Sequence, residues 1–252
     1  MRMRQTAPLH IALLLAWIVS LPLPGAQAQP LGPELARKVH DRHVGEDGVS
    51  RQVMELIPAS GQARVRELNI TSADRGGVRK SLLRFTSPAD IAGTGFMAIE
   101  DGQGETEQFL YLPSLKRSRR IVAGQKGRSF VNTDFTFEDM ERRPVDDSEH
   151  VVTGEAELGG MACWILESRP KPDTESQYSM VRAWIAKDID LALRVDFFAG
   201  GQEPVKRYTV HQLENIQEIW TATSVSMEDL QSGHKTTLRT TEVKYDTGVA
   251  DE

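Results

Sequence analysis

Few side chains in this sequence stand at the spacings that bond-making chemistry requires. His40 and His43, three residues apart in "VHDRH", would share one face of a helix, yet a zinc site needs three or four ligands and no third His, Cys or carboxylate stands at a matching distance. Asp188 and Asp190 in "KDIDL" alternate as paired acids on a strand face would, but beside a turn, where solvated carboxylates are common. Cys163 is the single cysteine, so no internal disulfide forms; alternation in "MACWILES" groups it with Met161 and Ile165, the setting of a buried core thiol rather than a nucleophile. There is no G-x-S-x-G, no P-loop and no G-x-G-x-x-G, and "GTG" at Gly93 to Gly95 lacks the rest of a phosphate loop. The sequence assembles no catalytic constellation, metal site or cofactor site, and reads as a protein that binds rather than transforms.

The strongest local signal is charge. "FLYLPSLKRSRRIVAGQKGRSFVNTDFTFEDM", Phe109 to Met140, places Lys116, Arg117, Arg119 and Arg120 within five residues, and Lys126 and Arg128 continue the run. No acid interrupts it from Gln108 to Thr133; then Asp134, Glu138, Asp139 and Glu141 reverse the sign. In an extended strand Leu115, Arg117, Arg119 and Ile121 alternate with Lys116, Ser118, Arg120 and Val122, so neither face is continuously apolar and the strand belongs at an edge or rim. Such charge protects an exposed edge from aggregation. It also offers a contact surface to an acidic partner or to lipid headgroups, where each basic residue contributes roughly 1 kcal/mol. In "NTDFTFEDM", Thr133 or Asp134 is a possible cap for a short helix with Glu138 and Asp139 in its first turn, and Phe130, Phe135 and Phe137 supply apolar bulk for closing the end of a sheet or for a ligand lid.

The elements around this segment are mostly strands. Arg2 and Arg4, the apolar run Ile11 to Leu23 and the small-residue pattern Ala26 to Ala28 predict a cleaved signal peptide over residues 1–28, with no cysteine at the cleavage site to carry a lipid. Removing it leaves 28 basic against 36 acidic residues, a net charge of about −8, which excludes a nucleic-acid binder in an exported chain. "GPELARKVHDRH" predicts one helix, with Pro33 in its first turn and Leu31, Leu35 and Val39 along a stripe. From Asp47 onward period-two alternation and turns at Gly76-Gly77, Asp101-Gly102, Gly159-Gly160, Gly200-Gly201 and Ser232-Gly233 predict a β meander of about eleven strands. Nothing divides residues 29–252, so they form a single domain, with "SRPKPDTESQY" a surface loop and "DTGVADE" a frayed end.

Three stretches, "FLYLPSLKRSRRI", "GQKGRSFVNTDFTFEDM" and "LENIQEIWTATSVSMEDLQSGHKTTLRTTEVKYD", resemble the LolA-like outer-membrane lipoprotein-sorting proteins often associated with RND or MMPL-type exporters. The resemblance covers nearly all of residues 29–252. It implies an unclosed antiparallel β-barrel with a few helices across its open side and an apolar cavity between them. It further implies a periplasmic protein, not an enzyme, whose partners are a lipid or acylated protein, an exporter and peripherally the membrane. The expected cavity or lid residues are Leu83, Phe85, Phe109, Tyr111, Phe130, Phe135, Phe137, Trp164, Trp184, Leu193 and Val195, with alternation leaving open which of them face inward. Lys116, Arg117, Arg119, Arg120, Lys126 and Arg128 would meet the partner or headgroup. A sensor or regulatory module of the same fold, binding a protein partner, is the alternative, because both roles need a cavity and an interaction surface.

Overall fold

The computed structural model describes residues 29–101 and 106–250; the expected signal peptide, residues 1–28, lies outside them. Helix α1 (Gly32–His40) leads into β1 (Asp47–Ile57), β2 (Arg64–Arg75), β3 (Val78–Ser87), β4 (Gly95–Glu100), β5 (Thr106–Leu112) and β6 (Arg117–Ile121). A long connection, residues 122–147, then reaches β7 (Ser148–Leu158), β8 (Met161–Pro170), β9 (Met180–Ala186), β10 (Leu191–Phe198), β11 (Lys206–Ile216), β12 (Ile219–Asp229) and β13 (Lys235–Tyr245). Among the described residues there are thirteen strands, more than the expected eleven, since strands as short as β4 and β6 carry little periodicity. They form one antiparallel sheet in the order β6-β5-β4-β3-β2-β1-β13-β12-β11-β10-β9-β8-β7. The first and last strands pair, and the sheet is open between β6 and β7, which are consecutive in the chain. This is the unclosed barrel that the family resemblance implies.

Turn chemistry explains much of the meander. Gly76-Gly77 and Gly159-Gly160 take positive φ at both positions (62° and 83°, 57° and 79°), the two-residue turn whose twist suits a hairpin. Gln217-Glu218 adopts the same left-handed geometry between β11 and β12 (52° and 66°) without a glycine to announce it. The carboxyl end is tied rather than frayed over residues 247–249, because the buried Asp47 carboxylate accepts hydrogen bonds from the backbone N–H groups of Thr247, Gly248 and Val249.

The face that carries α1 and the 122–147 connection is here called the inner face. The connection crosses it as a strap between the two open edges. It is not a capped helix. Val131 and Asn132 have positive φ (44° and 64°), Phe130 N–H donates to the Phe135 carbonyl, and Ser129 bridges to Thr136, making a tight hairpin followed by single 3₁₀ turns at Glu138–Met140 and Val145–Asp147. Thr133 locks the hairpin instead of capping a helix, its hydroxyl donating to the Phe130 carbonyl (2.7 Å) and accepting from Phe135 N–H (3.2 Å). Phe130, Phe135 and Phe137 bury against Met54, Leu68, Leu83, Phe85, Phe96, Leu110 and Ile121, so the strap fills the half of the inner face made by β1 to β6.

Helix α1 lies over the other half. Leu35 and Ala36 bury against Val152, Trp164, Leu166 and Ile185, with Val39 alongside; Leu31 stays exposed at the helix start, and His43 falls beyond the helix end, so the two histidines do not share a helical face. The helix approaches β7 closely: a Cβ on Gly32 would stand 2.1 Å from the His150 carbonyl oxygen. Gly32→Ala is therefore expected to push α1 off β7 at a cost of about 1–3 kcal/mol. Urea unfolding checks this, and an unchanged midpoint would show that the helix yields freely.

On the outer face Cys163, Ala186, Leu191 and Leu193 form a separate cluster with Trp184, Val210 and Leu213, and burial pushes the Cys163 thiol pKa up. A bulge interrupts the β9–β10 register between Ala192 and Arg194. The extra residue turns β10 over, so Leu191 and Leu193 face outward while Val195 and Phe197 face inward.

Candidate functional site

Antiparallel register sets Val152, Leu166, Ala183, Val195, Tyr208 and Met227 opposite one another in a row running from β7 to β12. Ile185 and Ala192 pair in an adjacent row. Ala183 and Ala192 leave a trough between larger neighbours. Ala36 and Val39 of α1 roof it on one side, and Phe135, Pro144 and Val145 of the strap on the other. The result is a largely apolar cavity of about 540 Å³, within the size range of small-molecule sites. Among its polar groups, His150 bonds Ser168 Oγ and the Val145 carbonyl, each at 2.8 Å. Burial pushes the Tyr208 hydroxyl pKa up to about 12, so it stays neutral.

The strap is fixed over this cavity by its own acids, which the sequence suggests only as helix-start charges. Glu138 is 4% exposed and accepts from the Arg143 guanidinium, Ser176 Oγ (2.6 Å) and Gln177 N–H (3.2 Å). Asp139 accepts from Lys206 Nζ at 2.7 Å and from the Tyr178 hydroxyl at 2.8 Å, and Lys206 also donates to that hydroxyl. Asp134 pairs with His234 and accepts from Thr236 Oγ1, each at 2.7 Å. Thus the polar loop after β8, strand β11 and the start of β13 each hold one acid of the strap. Glu141 pairs with Lys126 at 2.7 Å, but burial outweighs that pairing and raises its carboxyl pKa. Glu141, Arg142, Arg143 and Pro144 form the wall between the apolar cavity and a polar groove of about 670 Å³ running from β6 to the loop after β8.

The cationic segment is the edge strand β6. Arg117, Ser118, Arg119 and Arg120 are all exposed, and Lys116 precedes them in a left-handed conformation (φ 48°). Register places Arg117 opposite Leu112 and Arg119 opposite Leu110 on the inner-facing side, and Arg120 opposite Phe109 on the other. Leu115 and Val122 flank the cations at 58% and 55% exposure. Arg120 reaches Glu107 (2.8 Å) and Arg128 is exposed, whereas Lys126 turns toward Glu141.

The expected cavity residues separate into four groups. Phe135 and Val195 line the cavity. Leu83, Phe85, Phe130 and Phe137 are packed into the solid core beneath the strap, with Phe130 5.1 Å from Phe96 and 6.1 Å from Phe85, centroid to centroid. Trp164 lies under α1. Phe109, Tyr111, Trp184 and Leu193 point to the outer face, where Tyr111 is exposed and Arg194 covers the Trp184 ring at 4.3 Å. Sequence reasoning missed Leu166, Ala183, Ile185, Ala192, Tyr208 and Met227. The alanines carry no signal as cavity formers, and only their register beside bulky residues reveals them. Asp188 and Asp190 sit in the β9–β10 turn, and among the described residues no three His, Cys, Asp or Glu side chains come together to hold a metal.

The chain is thus an open antiparallel barrel whose gap is bridged by a strap and a helix, with a cavity between them. A LolA superfamily protein from Nitrosomonas europaea shares this fold at a TM-score of 0.65 and 16% identity, over 86% of this chain and 94% of that one. A Vibrio parahaemolyticus domain provisionally named for outer membrane lipoprotein sorting is more similar, with a TM-score of 0.81 and 26% identity over 87% of this chain and 94% of that one. A DUF1329 family protein from Desulfovibrio piger matches at 30% identity and a TM-score of 0.81, over 87% of this chain and 94% of that one. The sequence model of a family described as an uncharacterized protein matches residues 77–252. The chain belongs to the DUF1329 family. None of the curated proteins matches it.

Proposed function

We propose that this protein is a carrier of the bacterial envelope that holds an acyl chain of a lipid or lipoprotein in the cavity beneath α1 and meets a membrane or membrane exporter through strand β6. The carrying observation is the cavity itself. The strap closes one half of the inner face with aromatic packing, yet the other half stays hollow because Ala183 and Ala192 occupy its floor. Each methylene removed from water contributes about 0.8 kcal/mol, so a dozen would give micromolar-level gross affinity before ordering costs. The similarity to a domain named for lipoprotein sorting agrees with such cargo. In this reading residues 1–28 are a cleaved signal peptide, residues 29–252 one periplasmic domain without a lipid anchor, and the chemistry is binding alone. Native mass spectrometry of protein purified from its own periplasm, followed by extraction, tests the cargo class. A discrete acyl lipid is the expected passenger, and a saturating non-lipid ligand in its place would overturn the reading.

The basic edge has its own test. Replacing Lys116, Arg117, Arg119 and Arg120 with Gln is expected to leave the thermal midpoint within a few degrees, since exposed charges contribute little to folding. Binding to anionic vesicles should fall at least tenfold at low salt, at roughly 1 kcal/mol per cation. Unchanged vesicle binding in a variant that has become prone to aggregate would assign the cluster to edge protection alone.

A further inference from the structure

Four arginines line the apolar cavity: Arg42, Arg79, Arg142 and Arg143. Three of them are matched by carboxylates, Arg79 by Asp74 (3.1 Å), Arg142 by Glu100 (3.4 Å) and Arg143 by Glu138. Arg42, on the segment joining α1 to β1, differs. Its one hydrogen bond among the described residues goes to the Trp220 carbonyl at 3.0 Å, and no described carboxylate lies within 4.0 Å of it. Asp190 acts on it only at longer range, and Arg79 repels it. Burial lowers the guanidinium pKa for the same reason: the charge is partly stripped of water without receiving a counter-charge.

We propose that Arg42 is the headgroup anchor of this cavity, receiving the carboxylate or phosphate of an anionic amphiphile whose acyl chain lies along Leu166, Ala183, Ile185, Ala192 and Val195. A guanidinium has five N–H donors in a planar fork suited to either anion, and among the described residues only one is engaged. The site thereby joins an unmatched cation to an apolar trough, which is the complement of a charged head on a hydrocarbon tail. This inference rests on the acyl-chain reading above and adds a head-group class to it.

The test uses the chain from residue 29 and four probes: palmitate, palmitoyl lysophosphatidylglycerol, the neutral monopalmitoylglycerol, and inorganic phosphate without a chain. The two anionic amphiphiles are expected to bind at least about tenfold tighter than the neutral one, the weight of a charge-assisted hydrogen-bond pair. Arg42→Gln should abolish that preference while leaving monopalmitoylglycerol affinity within about twofold, and Arg42→Lys should keep part of it. Equal affinity of the unaltered protein for charged and neutral chains overturns the anchor whatever the variants do, and leaves the carrier reading standing. Saturable, Arg42-dependent binding of phosphate alone, with no gain from a chain, overturns it in favour of a free anion. Failure of every acyl probe removes the carrier reading and the anchor together.

Discussion

Phe130→Ala is expected to destabilise the protein by about 3–5 kcal/mol, the usual cost of emptying a buried phenylalanine site. Phe130 is 1% exposed at the centre of an aromatic group comprising Phe85, Phe96 and Phe137, with Phe137 5.8 Å away. Its surroundings have little freedom to collapse into the gap. The hairpin that carries it is pinned from outside by Arg66, which donates to the Val131 carbonyl at 2.8 Å, and from the end by Asp134 on His234 and Thr236. Gln108 Nε2 meanwhile holds the Phe137 carbonyl at 2.8 Å. A rigid frame around a lost ring leaves a true cavity, which puts the cost at the upper part of the range. Urea titration followed by tryptophan fluorescence measures it. Because Phe130 belongs to the filled half of the inner face, acyl-chain affinity of the folded variant should stay within a few-fold of the parent. A loss of less than 1 kcal/mol would mean that the strap is not part of the cooperative core, and then it could open as a lid.

That division between a filled and a hollow half is where the sequence and the structure part company. The meander, the paired glycine turns, the edge position of β6 and the buried thiol follow from local rules, because alternation and turn residues act over a few positions. The break in the barrel does not. It depends on β1 pairing with β13, nearly two hundred residues apart, and that pairing makes residues 122–147 a bridge rather than an ordinary connection. Hence "NTDFTFEDM" resembles a helix start but folds as a hairpin, and Glu138 and Asp139 become buried anchors, each held by partners more than thirty residues away. On β10, perfect period-two alternation places Leu193 and Val195 on one face. One bulged residue separates them, and nothing in "LALRVDFF" marks it. Large aromatics drew attention as cavity residues, yet large residues fill space. The hollow is made by alanines, visible only once register sets Ala183 between Leu166 and Val195.

Ala183→Phe is accordingly the substitution expected to cost the most binding. Ala183 sits mid-row on the cavity floor, half-buried, with Leu166 on one side and Val195 on the other. A benzyl group there projects into a volume of about 540 Å³, so it meets open space before it meets a neighbour and the overpacking penalty of a filled core is avoided. Thermal stability should therefore hold or rise slightly as new apolar contact forms. The ligand has no such freedom. If the ring excludes only four methylenes of a bound chain, about 3 kcal/mol of burial is lost, roughly a hundredfold to two-hundredfold in affinity. Displacement of an environment-sensitive fluorescent fatty acid reads this directly, with one-to-one saturation in the unaltered protein as the reference. Val195→Asp supplies an independent arm: it leaves the space open but places a carboxylate in the path of the chain, and it should weaken long chains more than short ones. A protein in which Ala183→Phe folds normally and binds the fatty acid as before would locate the chain elsewhere, and the carrier reading would lose the one cavity wall on which it stands.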